Sequence, residues 1–77
     1  MNILSYIEVN QIVKVENLLS TGDLRERMLS LGFTQGALVK VIRKGPNNNL
    51  TVYKIQDYRV VLRREESDLI LVSYIEV

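Results

Sequence analysis

Asp23-Leu-Arg-Glu-Arg-Met-Leu-Ser-Leu-Gly-Phe-Thr-Gln-Gly36 is the stretch on which the fold turns. It reads as a short helix, a glycine stop, an apolar residue, a turn and a second glycine. Asp23 has an N-cap side chain, and Glu26 follows at capping-box spacing. Leu24, Met28 and Leu31 fall at i, i+4 and i+7, so they share one helix face, with Arg25 and Arg27 on others. Gly32 stands where a left-handed residue ends a helix without a Cβ penalty, and Phe33 then returns to the core. The spacing predicts a helix over residues 23–31. A helix of so few turns is not stable alone, so its apolar face must pack against something.

On both sides the pattern is strand. Residues 3–9 are apolar enough for a first strand or an extended packing segment, and Asn10-Gln11 reads as a turn. Residues 12–18 alternate, with Val13 and Val15 facing one way and Lys14 and Glu16 the other. Residues 38–43 form the next strand, and Gly45-Pro46-Asn47-Asn48-Asn49 is a turn of residues that tolerate positive φ. Residues 50–55 follow as a strand whose buried face the alternation leaves open. Gln56-Asp57 is a hairpin signal, and residues 58–63 then place Val60 and Leu62 on one face. Residues 64–68 are a polar interruption of one helical turn, and residues 69–75 are the last strand. The sum is a mainly β chain, a small and strongly bent antiparallel barrel with one short helix. Closure limits exposed edges in so short a chain.

Composition bounds the chemistry. Seventy-seven residues make one domain at most, here taken as 1–77. Ten basic and nine acidic residues leave a net charge of +1, which argues against a dedicated nucleic-acid binder. There is no Cys and no His. Cys–His and Ser–His nucleophilic arrangements are therefore ruled out, as are thiolate or imidazole metal sites. No catalytic residue, no cofactor-binding residue and no metal ligand is expected. Glu65, Glu66 and Asp68 are the one carboxylate cluster, read as a solvated turn with Arg63 and Arg64 as surface partners. The four glycines make no phosphate loop. The N-terminus has no signal-peptide pattern and no apolar run approaches the roughly 20 residues of a membrane span, so a cytoplasmic location is expected.

Two features stand out beyond the core pattern. Arg59, Val61 and Arg63 share one strand face, and Lys40, Ile42 and Lys44 share the outward face of another. If those strands are near neighbours, Lys40, Ile42, Arg59, Val61 and Arg63 make a basic stripe with an apolar centre, suited to docking a protein. The pentapeptide Ser5-Tyr-Ile-Glu-Val9 recurs as Ser73-Tyr-Ile-Glu-Val77. Nothing else repeats, so ordinary β-rich composition explains it better than duplication. The sharper alternative is that the two segments lie side by side, within one chain or across a homo-oligomer.

Taken in order, these pieces resemble the FeoA family. The helix stretch with its Leu-Gly-apolar stop, then Val39-Lys-Val-Ile-Arg43 with Gly45-Pro46, then Val60-Val-Leu-Arg-Arg-Glu-Glu-Ser-Asp-Leu-Ile-Leu-Val72 look like that family's pattern, from about Ile12 to Val72. Asn10 and Asp57 stand where the family turns on Gly, and both are residues tolerant of left-handed geometry. Val61 and Ser67 replace expected small Ala residues. The resemblance implies an SH3-like β-barrel. It implies a non-enzymatic cytoplasmic role in ferrous iron uptake, as partner of the GTPase-bearing region of the FeoB membrane transporter. It also carries a transition-metal association, since the same fold occurs in iron- and manganese-responsive repressors. An SH3-like nucleic-acid binder and a metal-sensing regulatory domain are the competing readings. Direct membrane insertion and nucleic-acid binding are not expected.

Overall fold

Alternation of apolar and polar residues builds a single antiparallel sheet in this computed structural model, which describes residues 1–75. Its strands are β1 (Asn2–Ile3), β2 (Ile12–Leu18), β3 (Leu38–Lys44), β4 (Leu50–Ile55), β5 (Tyr58–Arg63) and β6 (Ile70–Tyr74). They run side by side in the order β1-β6-β2-β3-β4-β5. Two helices join them, α1 (Gly22–Ser30) and the single turn α2 (Arg64–Ser67). Inward positions supply the core: Val13, Val15, Val39, Val41, Tyr53, Ile55, Val60, Leu62, Ile70 and Val72 are buried together with Met28 and Phe33. On β4 the buried set is Thr51, Tyr53 and Ile55, which settles the face that alternation alone left open.

Irregularities bend the sheet. The register shifts between Val15 and Asn17 on β2 and between Val41 and Arg43 on β3, each shift leaving one residue unpaired and adding twist. The sheet curls but does not close, since the ladder ends at β1 on one side and β5 on the other. Side-chain contacts then tie Ser5, α1 and α2 to the rest of the fold without adding a strand to β5. Ser5 donates to Asp68, Lys44 Nζ and Asn48 Nδ2 reach the Ser5 carbonyl at 3.2 and 3.4 Å, and Arg27 pairs with Glu66. The Tyr58 phenol donates to the Leu31 carbonyl.

The decisive stretch folds as read, with one change at its start. The N-cap is Thr21, not Asp23, and the Asp23–Glu26 capping box does not form. Gly22 takes a φ of +61° and lets the first turn begin earlier, so the Thr21 carbonyl accepts from the Arg25 N–H at 3.4 Å. Asp23 remains in the first turn, where its charge suits the helix dipole. At the other end Gly32 has a φ of +106°, and Phe33 is fully buried, edge-on to Tyr53 with ring centroids 6.4 Å apart. Phe33 N–H bonds the Met28 carbonyl at 3.0 Å, the bond expected of a glycine-terminated helix.

Two other expectations change. Residues 3–9 are not one strand: only Asn2–Ile3 pair, and Leu4–Tyr6 form a 3-10 turn that plugs the core with Leu4 and Ile7. Asn10 is left-handed as expected (φ +75°), but in the β4–β5 hairpin the positive φ falls on Gln56 (+53°) and not on Asp57. The repeated pentapeptide takes two conformations: Ser5-Tyr6 lie in the 3-10 turn and Ser73-Tyr74 in β6. β6 pairs with Asn2 and Ile3 rather than with residues 5–9. Glu76 and Val77 of the second copy lie outside the described residues.

Candidate docking face

The sheet order puts β4 between β3 and β5, so the two halves of the expected stripe are not neighbours. β4 fills the space between them with matching chemistry. Lys40 pairs across to Lys54, and Lys54 to Arg59, giving a row of three cations. The next row is Arg43, Val52 and Val61, and beyond it Leu50 pairs with Arg63. Val61 is 54% exposed and Leu50 47%, so the centre and one end of the face are aliphatic. Ile12, opposite Lys40, continues the face toward β2. A shallow groove of about 430 Å³ runs there, lined by Ile12, Leu38, Lys40, Lys54 and Gln56.

The bulge on β3 sorts its residues. Ile42 is the unpaired one and is half-buried. Lys44 does not join the outward face, because the extra residue pairs it with buried Thr51 and sends its ammonium to the Ser5 carbonyl. Arg43 takes the outward place instead. Of the residues expected on the stripe, Lys40, Arg59, Val61 and Arg63 come together on one face, while Ile42 is half-withdrawn at the bulge. Lys54, Arg43, Val52 and Leu50 were missed. A signal for them was in the sequence: residues 38–63 hold six of the ten basic residues and one of the nine acidic ones. A balanced total hid a segregated distribution.

Electrostatically this face is uncompensated. The ion pairs among the described residues are Lys14–Glu16, Arg27–Glu66 and Arg64–Asp68, and none uses Lys40, Arg43, Lys54, Arg59 or Arg63. Like charges directly opposite one another on adjacent strands are destabilising, by a few tenths to about 1 kcal/mol each. Lys40–Lys54 and Lys54–Arg59 are two such pairs. A face that concentrates one sign of charge steers oppositely charged partners toward it.

The acidic residues are spent elsewhere. Partial burial pushes the Glu66 carboxyl up, but the Arg63 N–H at 2.8 Å and the Arg27 guanidinium outweigh it and hold the group below the ordinary glutamate range. Asp68 accepts from Ser5, and only Glu65 of this cluster is uncommitted. The hydrogen bond from Ser73, helped by Lys14, holds Glu16 low as well, against an opposing desolvation effect. No three His, Cys, Asp or Glu side chains among the described residues are grouped to hold an ion. Hard carboxylate oxygens already bonded to Arg and Ser are a poor donor set for a transition metal. The transition-metal association of the resemblance therefore finds no fitting site in these residues. Inside the sheet, burial raises the Tyr53 phenol, partly offset by the Ser67 and Thr51 hydroxyls, none of which makes a well-formed hydrogen bond to it. Ser67, the last residue of α2, is buried, which accounts for a small residue at that position.

Fold and face together define a class: a small SH3-like β module that presents an exposed charged sheet face. Within that class, a model of the FeoA domain matches residues 3–74, and the chain belongs to the FeoA family. A curated relative in Porphyromonas gingivalis (strain ATCC BAA-308 / W83) is a Fe(2+) transport protein A/Fe(2+) transporter FeoB fusion protein. It is 39% identical over 64 residues, which is 83% of this chain and 7% of the relative. The chain therefore spans a small part of that protein's length. The solution structure of iron(II) transport protein A from Clostridium thermocellum superposes with a TM-score of 0.91 at 27% identity, covering 96% of this chain and 46% of that one. FeoA of Stenotrophomonas maltophilia, solved in complex with zinc and described as an SH3 domain protein, shares the fold at a TM-score of 0.83. That match has 23% identity and covers 95% of this chain and 91% of that one. The family is associated with ferrous iron transport.

Proposed function

We propose that this chain is a non-enzymatic accessory module of ferrous iron uptake, acting in the cytoplasm by docking on the GTPase-bearing region of a FeoB-type transporter. The observation that carries the reading is the relative in which a FeoA-like segment and a FeoB transporter share one polypeptide. Covalent fusion of two modules raises their mutual effective concentration to about millimolar, and separate chains of the same kind must supply that proximity by affinity. The docking face is the outer surface of β3, β4 and β5, carried by Lys40, Arg59, Val61 and Arg63, with Ile42 at its margin and Lys54 and Val52 between them. Exposed aliphatics ringed by long cationic side chains have the make-up of a protein interface. Without His or Cys the chain has no ordinary general base and no thiol nucleophile, so a binding role fits its side chains better than a reaction.

The test is calorimetry of the purified chain with the soluble GTPase-bearing region of a FeoB protein from the same genome. Saturable binding that a Lys40→Glu/Arg59→Glu variant abolishes supports the reading. No heat at high micromolar concentration refutes it. Binding of RNA or DNA with a steep salt dependence would favour the nucleic-acid reading that the same cations invite.

A further inference from the structure

We infer that the free edge of β5 accepts an extended segment of a partner protein as an added antiparallel strand, with acidic, aliphatic and acidic side chains at alternate positions. This rests on the outer face of β3–β5 being the docking surface, and it specifies how that surface is used.

The β4–β5 hairpin has a two-residue loop, closed by the pair Ile55–Tyr58. In such a hairpin the closing pair is hydrogen-bonded, and bonded and non-bonded pairs alternate along the ladder. Tyr58, Val60 and Leu62 therefore spend their main-chain groups on β4. Those of Arg59, Val61 and Arg63 point away from it. The flanking contacts agree: the Arg64 N–H goes back to the Asn49 carbonyl at 2.9 Å, whereas the Arg63 N–H turns outward to Glu66. β5 is the last strand in the sheet order. Among the described residues the Arg59 and Val61 N–H and C=O groups have no backbone partner outside the β4 ladder. Four aligned main-chain groups on a regular strand are a template for another strand.

The same two residues place their side chains on the basic face, so one ligand strand meets both features. Opposite Arg59 and Val61, and level with Arg63 whose own N–H is held by Glu66, an antiparallel segment sets its positions j+2, j and j−2 on that face. Opposite charges and apolar pairs across a ladder are favourable, and like charges are not. Carboxylates at the outer two positions answer the arginines, and an aliphatic side chain at the centre covers Val61, otherwise 54% exposed. A second copy of this chain is a poorer occupant. Edge-to-edge pairing would join two carboxylate-free basic faces side by side, and in the register centred on Val61 it sets each Arg59 opposite an Arg63. The charges on the edge thus work against self-pairing while favouring an acidic strand.

The probe is a short synthetic threonine peptide carrying glutamate, valine and glutamate at alternate central positions, titrated into the full chain and followed by amide NMR and hydrogen exchange. The expected result is slowed exchange at the Arg59 and Val61 amides. A peptide N-methylated on the edge-facing nitrogens, or with lysine in place of glutamate, should bind roughly tenfold more weakly or not at all. Val61→Pro removes an outward N–H without breaking a β4 bond, a substitution edge strands accept, and should weaken binding roughly fivefold. Arg59→Lys, which keeps the charge and the strand, should bind nearly as well. No protection at about 1 mM peptide, or equal binding by the N-methylated peptide, overturns the inference. So does a concentration-dependent dimer that Val61→Pro abolishes, since the edge would then belong to a second copy. If the GTPase-bearing region binds the wild-type chain and Val61→Pro alike, the docking reading stands and the added strand is wrong. If that region does not bind at all while the acidic peptide does, the docking partner is wrong and the strand site stands.

Discussion

The two sides of this small sheet use charge in opposite ways. Around the amino-terminal turn and α2, charged groups are committed: Arg27 to Glu66, Lys44 to the Ser5 carbonyl, Asp68 to Ser5, Glu66 also to the Arg63 N–H. On the outer face of β3–β5, Lys40, Arg43, Lys54, Arg59 and Arg63 lie in rows with no ion-pair partner among the described residues. These segments lie outside the strand ladder, so their side chains complete the fold. The face already has its ladder, so its side chains add nothing to the fold and cost something through like-charge pairing. Residues that are dispensable for folding and locally unfavourable are the ones to test for binding.

The sharpest break would come from the core that both regions share. Phe33→Ala removes a fully buried ring and should cost about 3–5 kcal/mol, a large share of what a domain of this size has. Urea denaturation measures it, and a loss below about 1 kcal/mol would mean the ring is not packed in the core. Gly32→Ala should come next. An added Cβ would sit 2.6 Å from the Tyr58 hydroxyl, at a φ of +106°, displacing the bond to Leu31. The expected loss is about 1–3 kcal/mol, seen as a lower thermal midpoint, and Tyr58→Phe should recover part of it by removing the clashing oxygen. Wild-type behaviour of Gly32→Ala would show that α1 and β5 are not held together there.

A pH experiment separates the two regions more gently. Glu66 is lowered in the folded state below its ordinary value of 4.5, so the folded chain holds on to that charge more firmly than the unfolded one. Its contribution is fully present above about pH 4.5 and is lost as pH falls through the lower folded value. Glu66→Gln should therefore destabilise at neutral pH by less than about 1 kcal/mol and flatten the stability profile below pH 4.5. An unchanged acid slope in the variant would show that Glu66 is not the group responsible. The smallest effect on folding belongs to the face. Lys54→Glu should change stability by no more than about 0.5 kcal/mol, in the stabilising direction, because it turns two like-charge pairs into opposite ones. The same change should sharply weaken binding of an acidic partner, and a variant that loses stability but keeps binding would invert the comparison.

Most strands were legible because alternation is local: Val13 and Val15, or Val60 and Leu62, announce their face without help from distant residues. The helix stop at Gly32 and the return of Phe33 were equally plain. What could not be read depended on partners far along the chain. The β3 bulge leaves no mark in the run from Leu38 to Lys44, so Lys44 looked like a companion of Lys40. Apolar residues 3–9 leave a strand and an extended packing segment both open, and the structure makes most of them a packing segment, Leu4 and Ile7 plugging the curled sheet around a 3-10 turn. The Asp23 cap was plausible on side-chain chemistry, but the positive φ of Gly22 moved the helix start. The basic face was half-legible: β5 showed its outward residues, while the contribution of β4 needed the sheet order.

The extra residue at Ile42 acts as a change of reading frame. Upstream of it, odd-numbered positions of β3 look inward; downstream, the parity reverses. Two lysines four residues apart are thereby dealt to opposite duties, one to the solvent side and one to the anchoring of the amino-terminal turn. Excising that single residue would leave the composition almost untouched while exchanging the roles of its neighbours. In a protein this thin, a surface can be rewritten by counting alone.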